Sequence, residues 1–153
     1  ERNCKRYRTC LIFGMKKVMI FGTFDIIHMG HIHMFKEALE HGDHLVAIIA
    51  RDCNVERVKG VGLLHSEEER LEFLKHIDII NTVCLGNKEN PYSIIEEHKP
   101  DVIALGYDQK EYVDKLSDFL TTKNIEAKIV RLKPYLENKY KSGKIRKYIE
   151  RIV

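Results

Sequence analysis

The sequence predicts an α/β fold: a doubly wound five-stranded parallel sheet with helices on both faces. Three observations lead there. Short apolar runs alternate with amphipathic stretches from about residue 17 to the end. The runs are apolar throughout rather than at every second position, as expected of strands covered on both sides. The first run also passes through a glycine-bearing turn directly into a helical pattern, the opening of a strand–helix–strand unit.

Taken in order, Val18-Met19-Ile20-Phe21 forms the core of a strand over about 17–23. Ile32, Phe35, Ala38 and Leu39 carry helical spacing over about 30–41. Leu45-Val46-Ala47-Ile48-Ile49-Ala50 is the second strand. The stretch 51–65 has two glycines and mixed charge and reads as a long loop. Ser66 with Glu69 three residues later is a capping-box pattern opening the second helix. A third strand falls at about 81–85. The next helix is expected near Pro91, a residue suited to a first turn. Val102-Ile103-Ala104-Leu105 is the fourth strand, followed by a helix carrying Val113, Leu116 and Leu120. The fifth strand lies near 127–132. A last helix opens near Ser142 with Ile145, Tyr148, Ile149 and Ile152 on one side. In such a Rossmann-like sheet, ligands sit beyond the carboxyl ends of the strands at the point where strand order reverses. That rule selects 22–31, 51–62 and 106–109.

The chain of 153 residues suits one domain. Residues 15–153 are expected to form it, with 1–14 a basic extension outside the fold. The net charge of +3 is unevenly spread: 1–14 carry +3, 131–153 carry +6 and the body between them −6. A basic C-terminal segment on an acidic body suits a small polyanionic ligand. A nucleic-acid partner is not expected, because the basic residues are not interleaved with aromatics over a long stretch. No apolar run is long enough for a bilayer, and no signal peptide is read at the N-terminus. Cys4, Cys10, Cys53 and Cys84 lack CxxC spacing and read as reduced thiols, so a cytoplasmic location without a membrane partner is expected.

The chemistry concentrates in Gly22-Thr23-Phe24-Asp25-Ile26-Ile27-His28-Met29-Gly30-His31. A strand-to-helix turn aims backbone N–H groups outward, a ready phosphate site. His28 and His31 can donate hydrogen bonds to phosphoryl oxygens; taken alone, such a pair also serves as a helix cap. His28, His31 and His33 do not make a zinc site, because His31 and His33 point to different sides of a helix. Glu67 and Arg70 stand at ion-pair spacing, and Asp108 stands where it can cap the helix that follows it.

The run GTFDIIHMGH resembles the signature of the nucleotidylyltransferase superfamily, in particular the cytidylyltransferase-like family with its H-x-G-H motif, and the resemblance extends over nearly all of the chain from Met15. It implies catalytic roles for His28, His31 and Lys59, the last from a Lys-Gly segment after the second strand. It implies nucleotide binding by Gly22, Thr23, Phe24, Gly30, Arg70, Gly106 and Asp108. Gly30 is expected to leave room for a phosphate between the histidines. The second family motif, a turn opening the last helix, corresponds to Lys141, Ser142, Gly143 and Lys144; Ser142 is expected both to cap and to bind. Gly143 departs from the Ser or Thr of relatives. Asp25, Arg51 and Tyr107 are expected to face the acceptor.

The family reaction needs no protein nucleophile. A phosphate monoester attacks the α-phosphorus of ATP or CTP and pyrophosphate leaves, with Mg²⁺ held mostly by the nucleotide. Ile103 to Gln109 and Tyr140-Lys141-Ser142 look most like archaeal-type FAD synthases, which use ATP and FMN; Tyr107, Tyr112 or Tyr135 would stack on the flavin. A cytidylyltransferase for a polyol phosphate such as glycerol 3-phosphate, a sugar-phosphate adenylyltransferase, and a nucleotide-binding module without catalysis are the alternatives. The resemblance is compatible with a homodimer.

Overall fold

The computed structural model describes residues 14–60, 62–110, 113 and 115–152; the side chain of Lys59 lies outside that description. The expectation for 1–14, the thiols of Cys4 and Cys10, and Tyr112 therefore fall outside the described residues, except for Gly14 itself. Five strands form one sheet: β1 (Lys17–Gly22), β2 (His44–Ile49), β3 (Thr82–Leu85), β4 (Val102–Leu105) and β5 (Lys128–Arg131). Their order is β3-β2-β1-β4-β5 and every pairing is parallel. The helices are α1 (Met29–Leu39), α2 (Asp52–Lys59), α3 (Glu67–Lys75), α4 (Ser93–His98), α5 (Leu116–Thr122) and α6 (Ser142–Glu150).

The period-two pleat divides each apolar run between two cores. Val18, Ile20, Leu45, Ala47, Ile49, Val102 and Ala104 face one side, with Phe35 and Ala38 of α1 and Leu71 and Leu74 of α3. Met19, Val46, Ile48, Ile103 and Leu105 face the other, with Ile94 and Ile95 of α4 and Leu116 and Leu120 of α5. The register sets like against like: Val18 opposite Leu45 and Val102, Met19 opposite Val46 and Ile103. Full burial of each such side chain contributes roughly 1.5–3 kcal/mol. Beside the central strand β1 the order reverses, so β1 and β4 part at their carboxyl ends and leave a crevice.

Several local expectations are corrected. The stretch 51–65 is not all loop, since 52–59 form α2, closed by Gly60 at φ +62. Pro91 lies two residues ahead of α4, whose N-cap is Tyr92. Asp108 caps no helix, because α5 starts at Leu116 after Lys115. Ser142 is the first residue of α6 rather than its cap; Lys141 holds that position without a side-chain capping bond. The Ser66–Glu69 capping box forms as expected.

Candidate active site

The turn from β1 to α1 is built by sterics. A Cβ on Gly22 would lie 2.5 Å from the Phe24 ring, so the ring can fold back only over a glycine. Phe24 has φ +55, an uncommon conformation for a bulky residue, and its ring is 4% exposed. It packs against Phe35 at 5.8 Å and meets His31 edge-on at 5.7 Å. The Phe24 side chain therefore belongs to the core and not to the cleft wall, because the left-handed backbone turns it inward.

Two histidines form the capping box that starts α1. The Gly30 N–H donates to Nδ1 of His28 (3.1 Å), and the His28 N–H donates to Nδ1 of His31 (3.3 Å). A backbone N–H can only donate, so both Nδ1 atoms are unprotonated and each neutral ring carries its proton on Nε2. Burial lowers the His28 pKa, in the same sense. The two rings lie 4.0 Å apart. Capping and site geometry are thus the same arrangement. The protein itself also requires a glycine at Gly30: its Cβ would meet the His28 ring at 2.9 Å and the Tyr140 carbonyl at 3.1 Å.

α6 faces this pair. Nε2 of His28 lies 3.2 Å from the Ser142 hydroxyl, and the Tyr140 ring lies parallel to His28 at 6.4 Å. Tyr140 stacks in turn on Tyr135 (6.0 Å), and Tyr135 on His33 (4.5 Å). Glu37 accepts the Lys133 N–H at 3.1 Å. The strap 133–141 is thereby laid along α1, and its end brings Lys141 to Lys144 to the crevice. Nothing lies within 4 Å of a Cβ built on Gly143. Lys144 Nζ donates to the Asn138 carbonyl.

Across the crevice, Lys141 Nζ is 3.2 Å from Asp108 and 5.9 Å from the centre of the Tyr107 ring. The Asp108 carboxylate raises the Lys141 pKa, and burial followed by the Asp108 charge raises that of Tyr107. Two residues outside the expected set fix this loop. Gln109 accepts from the Gly106 N–H (2.8 Å) and donates to the Phe21 carbonyl (2.6 Å), spanning the gap between β1 and β4. Arg131 donates to the carbonyls of Gly106 (2.9 Å) and Gln109 (2.6 Å). The available signals were an amide at the mouth of a strand and an arginine ending β5; neither discloses its partners.

Arg51, Arg70 and Asp25 are held by protein groups. Arg51 pairs with Glu67 at 2.6 Å. Glu67 therefore does not pair with Arg70, which instead meets Asp52 at 2.5 Å. Arg70 is 1% exposed and also donates to the carbonyls of Thr23 (2.5 Å) and Ala50 (2.9 Å), tying the end of β1 to the end of β2. Asp25 accepts from the Leu64 N–H (3.0 Å), the His65 N–H (2.9 Å) and Arg146 (2.9 Å). Burial alone would raise its pKa, but the two backbone bonds and His65 together lower it. Lys59 ends α2 beside the left-handed Gly60, on the loop that continues to Leu64 and His65.

The switch point of the parallel sheet, where such folds bind their ligands, sets paired imidazoles against a lysine-bearing helix start. Residues 19–148 match the model of the cytidylyltransferase-like family. The chain belongs to that family and is a nucleotidylyltransferase. It is 42% identical over 140 residues to a protein of Thermococcus sibiricus named FAD synthase, covering 90% of this chain and 92% of that one. The crystal structure of a Thermoplasma volcanium protein, described as a lipopolysaccharide core biosynthesis protein, matches with TM-score 0.75 and 38% identity over 80% of this chain and 99% of the other. Pantoate-β-alanine ligase of Francisella tularensis shares the fold, with TM-score 0.59 and 14% identity over 94% of this chain and 72% of its own.

Proposed function

We propose that this chain transfers AMP from ATP to FMN, forming FAD and pyrophosphate. One observation carries the chemistry: the reciprocal cap that leaves His28 and His31 neutral with their protons on Nε2, beside the start of α6. The nature of the acceptor rests on the FAD synthase relatives at about 40% identity.

An FMN phosphate oxygen attacks the α-phosphorus in line; the bond from that phosphorus to the bridging oxygen of pyrophosphate breaks. The two Nε2–H groups donate to the α-phosphoryl oxygens as charge gathers there, and being fixed beforehand they need little reorganisation. Lys141, Lys144 and the amides of Ser142 and Gly143 take the β- and γ-phosphates, joined by Lys59 at the end of α2. Lys141 exchanges Asp108 for phosphate on binding, which leaves Asp108 for the ribose. The backbone of Gly22, Thr23 and Gly106 lines the crevice. Arg70 acts here from behind, holding the Thr23 carbonyl. Among the described residues no group of three or more His, Cys, Asp or Glu is gathered for a metal ion. Mg²⁺ fits best as a passenger on the triphosphate, where it neutralises phosphate charge.

Of the two described tyrosines among the candidates, Tyr107 is assigned to stack on the flavin, since Tyr135 is taken up between His33 and Tyr140. Arg51 and Asp25 border the acceptor side through the pairs they already make. The test is pyrophosphate release with Mg²⁺, crossing ATP and CTP with FMN, glycerol 3-phosphate and sugar phosphates. ATP with FMN, and FAD as product, is the expected combination. Turnover confined to a sugar phosphate would instead align the chain with the description of its Thermoplasma structural relative. Turnover with CTP alone would overturn the choice of nucleotide.

A further inference from the structure

α6 carries the lysines and amides assigned to the triphosphate, yet it has no buried residue. Tyr148 and Ile149 on it are 67% and 50% exposed, so apolar packing on the sheet does not fix its position. Its polar attachments do. Ser142 and Arg146 are four residues apart and share one face of the helix. Ser142 meets His28. Arg146 donates through Nη2 to the Asp25 carboxylate (2.9 Å) and through Nη1 to the Gly62 carbonyl (2.9 Å). Asp25, whose side chain is 8% exposed, lies three residues before His28 and also accepts the Leu64 and His65 amides. One guanidinium thus joins three segments far apart in sequence: the histidine turn, the loop after Lys59 and the phosphate helix.

We propose that Arg146 is a positioning residue for the nucleotide: by gripping Asp25 and the Gly62 carbonyl together, it sets the rotation and depth of α6 so that Lys141 to Lys144 face the histidine pair. It also ties that helix to the loop carrying Gly62, Leu64 and His65. The fork of a guanidinium reaches both acceptors, which a lysine ammonium on a single stem does not. This inference rests on the proposed nucleotidyl transfer for its catalytic consequence, though not for its structural one.

The experiment compares Arg146→Ala and Arg146→Lys with the parent chain. Steady-state pyrophosphate release gives kcat and the KM for each substrate, and amide hydrogen exchange is followed over 142–150. In Arg146→Ala, kcat/KM for ATP is expected to fall ~10–100-fold, as for a misplaced positioning group. Exchange in α6 should quicken at least tenfold while the amides of β1 keep their protection. Arg146→Lys should recover only part of both. Kinetic constants within twofold of the parent, or unchanged exchange in α6, would overturn the proposal. If the parent itself released no pyrophosphate from ATP and FMN, the functional reading would fall. The exchange comparison would still decide the latch: faster exchange in Arg146→Ala supports it and equal exchange refutes it.

Discussion

Replacing Arg70 by methionine separates two roles for a residue that the family resemblance places near the nucleotide. The methionine keeps most of the stem volume in a site where Arg70 is 1% exposed, so a cavity contributes little. What is lost is the guanidinium and its bonds to the Thr23 carbonyl, the Ala50 carbonyl and Asp52. Breaking a buried ion pair costs about 3–5 kcal/mol, and a hydrogen bond to a charged group about 1.5–3. Asp52 is 36% exposed and regains water when released, so the pair contributes toward the low end. The expected loss is therefore about 3–4 kcal/mol, or a Tm lower by about 10 °C in a domain of this size. Urea titration at constant m-value measures it directly. A loss below about 1 kcal/mol together with a KM for ATP raised tenfold would refute the bracing role and make Arg70 a nucleotide ligand.

His31→Ala should lower kcat by ~10²–10³. His28→Asn should do the same with little loss of stability, because asparagine still caps α1, whereas His28→Ala also loses about 1 kcal/mol of capping; near-parental kcat in both His28 variants would exclude a catalytic donor there. Acid should destabilise the fold before its carboxylates titrate. Burial, then the Lys17 and His98 charges, lowers the pKa of His44, and burial, opposed by the Glu97 charge and aided by Lys17, lowers that of His98. The unfolded chain consequently binds more protons below the ordinary histidine pKa of 6.5. That contribution is complete above 6.5 and is lost as pH falls toward the folded values. The urea midpoint should drop between pH 7 and 5, with a shallower drop in His44→Gln; a flat profile would contradict this. Gly22→Ala should destabilise strongly through the 2.5 Å approach to Phe24, while Gly143→Ser, which meets nothing within 4 Å, should leave Tm within about 2 °C; thermal melts of the pair compare them.

The sheet was legible because its signal is local. β1, β2 and β4 are runs of apolar residues long enough to be buried on both faces, and the Ser66–Glu69 cap is written in four consecutive positions. The histidine turn was legible for the same reason. α2 was not: Val55 is its only buried apolar residue, and its N-terminal end is held by Arg51 and Asp52 bonding to Glu67, fifteen or sixteen residues on. Charged groups carry no local sign of which partner they choose. Glu67 and Arg70 stand at helical ion-pair spacing and each bonds elsewhere, since Arg51 and Asp52 approach from the neighbouring element. The inward turn of Phe24 depends on one backbone angle, and the stacked rings from His33 to His28 depend on where the strap lies.

The strand order has a consequence for how the molecule comes into being on the ribosome. β1, β2 and β3 are neighbours in both chain and sheet, so the first 85 residues contain a contiguous three-stranded parallel half with α1 and α3 upon one face. The other edge of β1 waits for β4, some eighty residues later in synthesis. Only then does the crevice acquire its second wall, and only after β5 and the strap have emerged do Ser142 and Arg146 reach the histidine turn. Nascent chains released early would therefore hold a partly formed sheet with an open edge and no triphosphate site. Under the proposed function, catalytic competence arrives with the final dozen residues described.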